Sequence, residues 1–312
     1  MEILEIIFPI LVIGFAGYLA ARSKYLDFNE CDAISKFVFS FLVPALFFIK
    51  TATVQIPEDM AWGFLFSYYA PIVLLYLFCV VMGKKVFGYN PAEQSVFGMG
   101  AAYPNIVMVG IPVCVYALGE EALLPLFILI ALHNLTLFTI GFLVAEQNQL
   151  SMNSFFQSLV GILKKIITTP ITGSLLAGYA VNLFNLGIYD PLESGLVLLG
   201  TAAIPASLFV LGTALFRYKI SGDMRPAMLM VFLKMAALPL LVGLLAFQVF
   251  ALEPLWAATA VLASASPTGI NAYLFSQKYQ ACEAQIATSI VVSTLACILT
   301  LSLLISILRP FV

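Results

Sequence analysis

The sequence is a succession of apolar runs, each long enough to cross a lipid bilayer and each closed by a short polar or Gly/Pro-containing break. A helix needs about 20 predominantly apolar residues to span the hydrocarbon core. Lipid offers no partner to a free backbone N–H or C=O, so each run is expected to be a helix that satisfies its own backbone. Ten spans are read, at 4–21, 33–50, 61–83, 93–118, 121–145, 167–188, 192–215, 226–250, 254–277 and 284–308. Only 10% of the 312 residues are charged, against about 25% in an average soluble domain, and the mean hydropathy is +1.05. The expectation is an all-α polytopic membrane protein with the lipid bilayer as its surroundings. A net charge of −2 with no basic or acidic tail gives no reason to expect a nucleic-acid partner. Cys31, Cys79, Cys114, Cys282 and Cys297 are scattered with no CxxC pair, and read as small packing residues rather than disulfides or a metal site. The acidic N-terminus lacks the positive region of a cleaved signal peptide, so the first helix is expected to be retained.

Basic residues sort by loop. Arg22, Lys24 and Lys36 flank the first connection, Lys84 and Lys85 the third, Lys164 and Lys165 the fifth. Arg217, Lys219 and Arg225 lie in the seventh and Lys278 in the ninth. The even connections hold Lys50 alone among basic residues, with Glu58, Asp59, Glu120, Glu121, Asp190, Glu193 and Glu253. The positive-inside rule puts the odd loops in the cytoplasm and both termini outside. The one hydrophilic connection of any length, 146–166, is then a cytoplasmic linker between residues 1–145 and 167–312.

Those two parts resemble each other. A shift of 161 positions superposes Pro9-Ile10 on Pro170-Ile171, Ala16-Gly17-Tyr18 on Ala177-Gly178-Tyr179, Pro44-Ala45 on Pro205-Ala206 and Phe48 on Phe209. Farther on the register drifts, and Pro71 meets Pro239 at an offset of 168 and Pro104 meets Pro267 at 163. Five helices per repeat is an odd number, so the copies must enter the membrane in opposite senses. Inverted repeats with interrupted helices at corresponding positions point to a secondary transporter and its binding site.

The interruptions fall at Tyr103-Pro104-Asn105 in the fourth span and Ser266-Pro267-Thr268-Gly269-Ile270-Asn271 in the ninth. A proline inside a helix costs about 3 kcal/mol or more. At membrane depth such a break is tolerated only inside protein or along a cavity. Pro104 and Pro267 are each expected to start a second half-helix, since a missing N–H is harmless at a first helical position. Two half-helix N-termini facing the interior would attract an anion without a formal charge, with Asn105, Thr268 and Asn271 beside them. The alternative is a pair of proline kinks that only shape packing.

The pattern Asn105-x4-Gly110-x-Pro112, with Pro267-x3-Asn271 and Tyr279, resembles the auxin efflux carrier family. That family includes bacterial carriers of malonate, malate and similar carboxylates, and is more distantly similar to the bile acid–sodium symporter superfamily. The resemblance covers nearly the whole chain. It implies ten helices, a crossing of the fourth and ninth, and a scaffold of helices 1, 2, 6 and 7. It also implies a transport domain of helices 3–5 and 8–10, elevator-like alternating access, and a homodimer through the scaffold. Pro104, Asn105, Pro267 and Asn271 carry over as crossover residues, within a substrate site taken to include Thr268 and Gly269. Plant members have Asn-Pro-Asn-Thr-Tyr at the first crossover, whereas this chain reads Tyr103-Pro104-Asn105-Ile106-Val107.

Lys234, inside the eighth span, either faces the cavity and pairs with a substrate carboxylate or snorkels to the cytoplasmic surface; insertion scales put a mid-span lysine at about 2.5–3.5 kcal/mol. His133, in the fifth span, is a proton-coupling candidate or a packed histidine. Ser289, Ser293 and Thr294 read first as interhelical hydrogen-bonding residues and second as ligands. No Asp or Glu lies inside a span, so coupling to H+ (through His133) or Na+ (through Thr268, Ser293 and unwound carbonyls) stays open, and no cofactor is expected. The spans hold no HExxH, acidic cluster or Ser/His/Asp set, which excludes the usual intramembrane enzymes. The expected function is secondary active transport of a small organic anion, a mono- or dicarboxylate such as malate, malonate or an auxin-like acid. The runner-up is a membrane-embedded sensor built on the same fold.

Overall fold

The computed structural model describes residues 2–54, 62–148, 160, 161, 164 and 167–312. Glu58, Asp59, Lys165 and most of the central linker lie outside the described residues. The described chain is helical: α1 (Glu2–Arg22), α2 (Phe28–Thr53), α3 (Trp62–Val86), α4 (Pro91–Ala102), α5 (Ile106–Leu118) and α6 (Glu120–Ala145). After the linker come α7 (Pro170–Leu183), α8 (Asp190–Arg217), α9 (Met224–Val249), α10 (Pro254–Ser264), α11 (Ile270–Tyr279) and α12 (Glu283–Phe311). Among these, α2, α3, α6, α8, α9 and α12 are each long and apolar enough to cross a membrane unaided. Described parts of α1, α5 and α10 are shorter apolar helices. The pairs α4–α5 and α10–α11 occupy the fourth and ninth spans of the sequence reading.

Local chemistry sets the boundaries. Asp27 and Glu30 form a reciprocal capping box at the start of α2, and Asn90 and Glu93 form another at α4, where Pro91 follows the cap. Each box satisfies two backbone donors that a helix start leaves free. Three prolines inside the spans are met by widened π-helical turns, whereas Pro9, Pro71 and Pro205 lie within unbroken α-helix. Val38–Leu42, Ile106–Gly110 and Leu233–Ala237 each run into a helical segment with proline at its second position, Pro44, Pro112 and Pro239. In each, the backbone donor reaches five residues back, Val43 to Val38, Ile111 to Ile106 and Leu238 to Leu233. The wider turn relieves the clash of the proline ring with the carbonyl four residues before it.

Helices α1 and α8 pack backbone to backbone through glycines. A Cβ on Gly17 would run into the Phe209 carbonyl, and one on Gly212 into the Gly14 carbonyl. Helices α2 and α7 meet the same way, with Gly178 against the Phe48 carbonyl and the Thr51 side chain. Asn182 then donates to the carbonyls of Thr51 and Ala52 at 3.1 Å and Val54 at 2.7 Å, closing the end of α2. Without a hydrophobic drive between helices in lipid, close approach of small residues supplies the packing energy. Overpacking such a site costs about 1–3 kcal/mol or more. Gly212→Val is therefore expected to lower the thermal midpoint of the detergent-solubilised protein clearly. Gly195→Ala, on the same helix with open space around it, should leave the midpoint unchanged or raise it.

The remaining helices share the main core. Tyr68, Tyr76, Phe64, Phe97 and Phe127, on α3, α4 and α6, are among the largest fully buried side chains. Tyr76 Oη donates to the Ser95 carbonyl at 2.7 Å and Ser95 Oγ to that of Gly141 at 2.7 Å, tying these three helices together. Gly100 on α4 admits Met230 of α9 and Ile286 of α12.

Candidate functional site

The two interrupted segments meet. Between α4 and α5, and between α10 and α11, the chain is extended, and Pro104 and Thr268 form an antiparallel bridge. Asn105 N donates to the Pro267 carbonyl at 2.8 Å, and Gly269 N to the Tyr103 carbonyl at 2.8 Å. This corrects the expectation that each proline starts a half-helix. Asn105 caps the helix that begins at Ile106, and Gly269 precedes the one that begins at Ile270. Each proline sits upstream, Pro104 in the bridge and Pro267 beside it. The physical reason is the bridge register: the flanking residues exchange the hydrogen bonds, so Pro104 has no ladder bond to donate.

Helices α5 and α11 both begin at this crossing, and their first N–H groups have no intrahelical acceptor. Asn105 Oδ1 accepts from Met108 N at 3.4 Å, and the Asn105 carbonyl accepts from Val109 and Gly110 N at 3.1 and 3.2 Å. The Asn105 amide nitrogen makes no hydrogen bond among the described residues. Beside it a chain of polar contacts crosses the site. Asn271 Nδ2 donates to Tyr103 Oη at 2.7 Å, and Tyr103 Oη donates to Asn134 Oδ1. Gly269 makes room for this tyrosine, since a Cβ there would lie 2.6 Å from the Tyr103 ring. His133 packs edge-on against Tyr103, ring centres 4.6 Å apart. The His133 ring is 4% exposed and neither nitrogen closes a hydrogen bond among the described residues. The Pro104 carbonyl lies near the ring but falls short of hydrogen-bond geometry.

A cavity of about 350 Å³ opens on this face of the crossing, lined by Tyr103, Pro104, Asn105, His133, Asn134 and Asn271 with apolar neighbours. Its volume lies within the usual range for a small-molecule site. Ser35 and Phe39 of α2, and Thr169 and Ile171 at the start of α7, close it from the other side. The unspent donors on the lining are the amide nitrogens of Asn105 and Asn134, in a mostly apolar pocket, while both nitrogens of the His133 ring are buried and unpaired among the described residues.

Of the residues singled out in the sequence, Pro104, Asn105, His133 and Asn271 line the cavity, and Pro267, Thr268, Gly269, Ser293 and Lys234 do not. Thr268 and Ser293 hold the back of the crossing. Thr268 N donates to Ser293 Oγ at 3.0 Å, while Thr268 Oγ1 donates to the Gly100 carbonyl at 3.0 Å and lies 3.1 Å from Ser289 Oγ. Lys234 neither snorkels nor faces the cavity. It is fully buried, and its ammonium donates to the carbonyl of Ser264, the last residue of α10. A cation at a helix C-terminus is favoured by the dipole. Lys234→Gln is accordingly expected to lower thermal stability and to weaken anionic and neutral analogues equally; a selective loss of anions would return Lys234 to the substrate. Tyr103, which marks the first interruption, and Asn134, next to His133, join the lining although nothing in the sequence assigns either a ligand role.

Residues 2–305 match the family described as membrane transport protein. A protein of Rhizobium meliloti (strain 1021), named "Putative malonate transporter", is 25% identical over 308 residues, covering 99% of this chain and 96% of its own. Both are transporters by description, and neither supports a sensor or an enzyme. With matching family, apolar spanning helices and crossover motifs together, the chain belongs to the auxin efflux carrier family of membrane transport proteins.

Proposed function

We propose that the protein is a secondary active carrier of a small dicarboxylate, malonate or a close analogue, bound where the two interrupted helices cross. The single observation that carries this is the convergence of unspent neutral donors and two helix N-termini on one mostly apolar cavity. Hydrogen bonds to a charged group contribute about 1.5–3 kcal/mol each, and helix N-termini favour negative charge. The similarity to a protein named for malonate supports the chemical class.

The reading includes ten spans in two inverted five-helix repeats, with both termini outside and the linker in the cytoplasm. Reciprocal packing supports the repeat. Gly17 meets Phe209 and Gly178 meets Phe48, and each partner of the first contact is its counterpart in the second at the same shift of 161 positions. Helices α1, α2, α7 and α8 form the scaffold, through which two copies pair, and α3–α6 with α9–α12 form the transport domain. The cavity draws residues from both bodies, as an elevator requires if one body slides past the other.

Between the two coupling ions, the proton is favoured. His133 lines the cavity with both nitrogens unspent, whereas Thr268 and Ser293 are bonded to each other and to the crossing. Replacing His133 with Gln is expected to flatten the dependence of uptake on the proton gradient; an unchanged dependence would make His133 a packing residue. The test of the substrate class is a thermal-shift series of purified protein against malonate, malate, their diamides and indole-acetate, with and without sodium. A ligand at 100 times its dissociation constant stabilises by about 2.7 kcal/mol. Stabilisation by dicarboxylates without sodium is the expected result, and equal shifts from the neutral amides would defeat the anion assignment.

A further inference from the structure

A second cavity of about 320 Å³ adjoins the first, sharing Ser35, Met108, Ile270 and Leu274 in its lining. It extends along α2 past Asp32 and Cys31 to the last turn of α8, where Arg217, Tyr218, Tyr273 and Gln277 line it. Arg217 and Asp32 are exposed, so this end is the mouth. Neither lining contains another Lys or Arg. The guanidinium is held on one side only. Its Nη2 pairs with Asp32 Oδ1 at 2.9 Å and donates to the Phe28 carbonyl at 3.3 Å, with the Phe28 ring 5.1 Å below. Nη1 and Nε make no hydrogen bond among the described residues, so N–H donors remain on both edges of the guanidinium for an arriving carboxylate.

We infer that Arg217 is a capture residue for carboxylate substrates, an outer subsite in the vestibule that loads the crossing. This rests on the anion reading of the crossing but concerns a different place. No Lys or Arg lines the crossing cavity, and Lys234 is buried behind it against the Ser264 carbonyl; an exposed charge at the mouth raises the local concentration of anions and their arrival rate. Asp32 positions the guanidinium and partly neutralises it, so an arriving carboxylate shares the cation with Asp32 and then passes inward along the common wall.

The test is transport of radiolabelled malonate in proteoliposomes of known orientation, with KM measured separately from each face across a range of ionic strength. Arg217→Gln is expected to raise KM about 3- to 10-fold on the vestibule face alone, with kcat little changed and the ionic-strength dependence flattened. Arg217→Lys should keep that dependence and recover part of KM, and Asp32→Asn should lower KM on that face. A variant with lowered kcat and equal KM changes on both faces, or with KM and salt dependence unchanged, overturns the capture role. Wild-type protein that carries malonate and loses it on Asn105→Asp, beside an indifferent Arg217→Gln, defeats Arg217 and leaves the crossing standing. A wild type that neither binds nor carries any carboxylate overturns both.

Discussion

Asn105→Asp is expected to abolish malonate binding and transport while the protein remains folded and in the membrane. Aspartate caps a helix as well as asparagine does, so the bond to Met108 N survives. The backbone bonds of residue 105 to Pro267, Val109 and Gly110 do not involve the side chain. What changes is the free amide donor, replaced by a carboxylate that repels the substrate. Asn105→Ala is the milder companion. Loss of one hydrogen bond to a charged group, about 1.5–3 kcal/mol, corresponds to roughly 10- to 150-fold in affinity, with a further loss of the cap. Size-exclusion profiles and thermal midpoints would check folding, and binding by calorimetry would check the site. Ordinary malonate affinity in the Asp variant would remove the crossing from consideration as an anion site.

Cross-linking Lys50→Cys to Glu120→Cys with a short bismaleimide is expected to stop transport almost completely. Lys50 Nζ and Glu120 Oε2 are 2.6 Å apart, and they join the end of α2 to the start of α6. Close by, Phe47 of α2 and Phe127 of α6 pack with ring centres 4.7 Å apart and planes tilted by 50°. Along α2, then, Asp32 and Ser35 line the open cavities, and Phe47 and Lys50 close on α6. At 1.5 Å per residue, the fifteen positions between Asp32 and Phe47 cover about 22 Å. An elevator must break these contacts when it opens the other way, so a covalent tether there should lock it. The ion pair itself is exposed on the Glu120 side and contributes about 0–1 kcal/mol, so single substitutions should barely affect transport, and each single-cysteine protein treated with the reagent should remain active. Transport that persists in the fully cross-linked protein would exclude relative sliding of the two bodies at this seam.

Much of the fold was legible in order along the chain. The apolar runs and the breaks at Pro104 and Pro267 fall close to where helices begin and end, although the second span, read as 33–50, is a helix over Phe28–Thr53. These are local properties, since lipid forces every exposed backbone group into a helix and prolines and caps act within a turn. The candidate site was legible only as two stretches. That Pro104 and Asn271 face the cavity while Thr268 and Ser293 brace its back follows from the antiparallel register of two segments more than 160 residues apart, which no local pattern contains. Lys234 makes the same point: its position inside a span was plain, but its acceptor, the Ser264 carbonyl, is supplied by another helix. By itself the sequence determined an all-helical membrane chain with two matched interruptions rich in uncharged donors, because hydropathy and backbone chemistry are written residue by residue. Only the tertiary structure decided which of those donors remain unspent, because a hydrogen bond is settled by what stands opposite it.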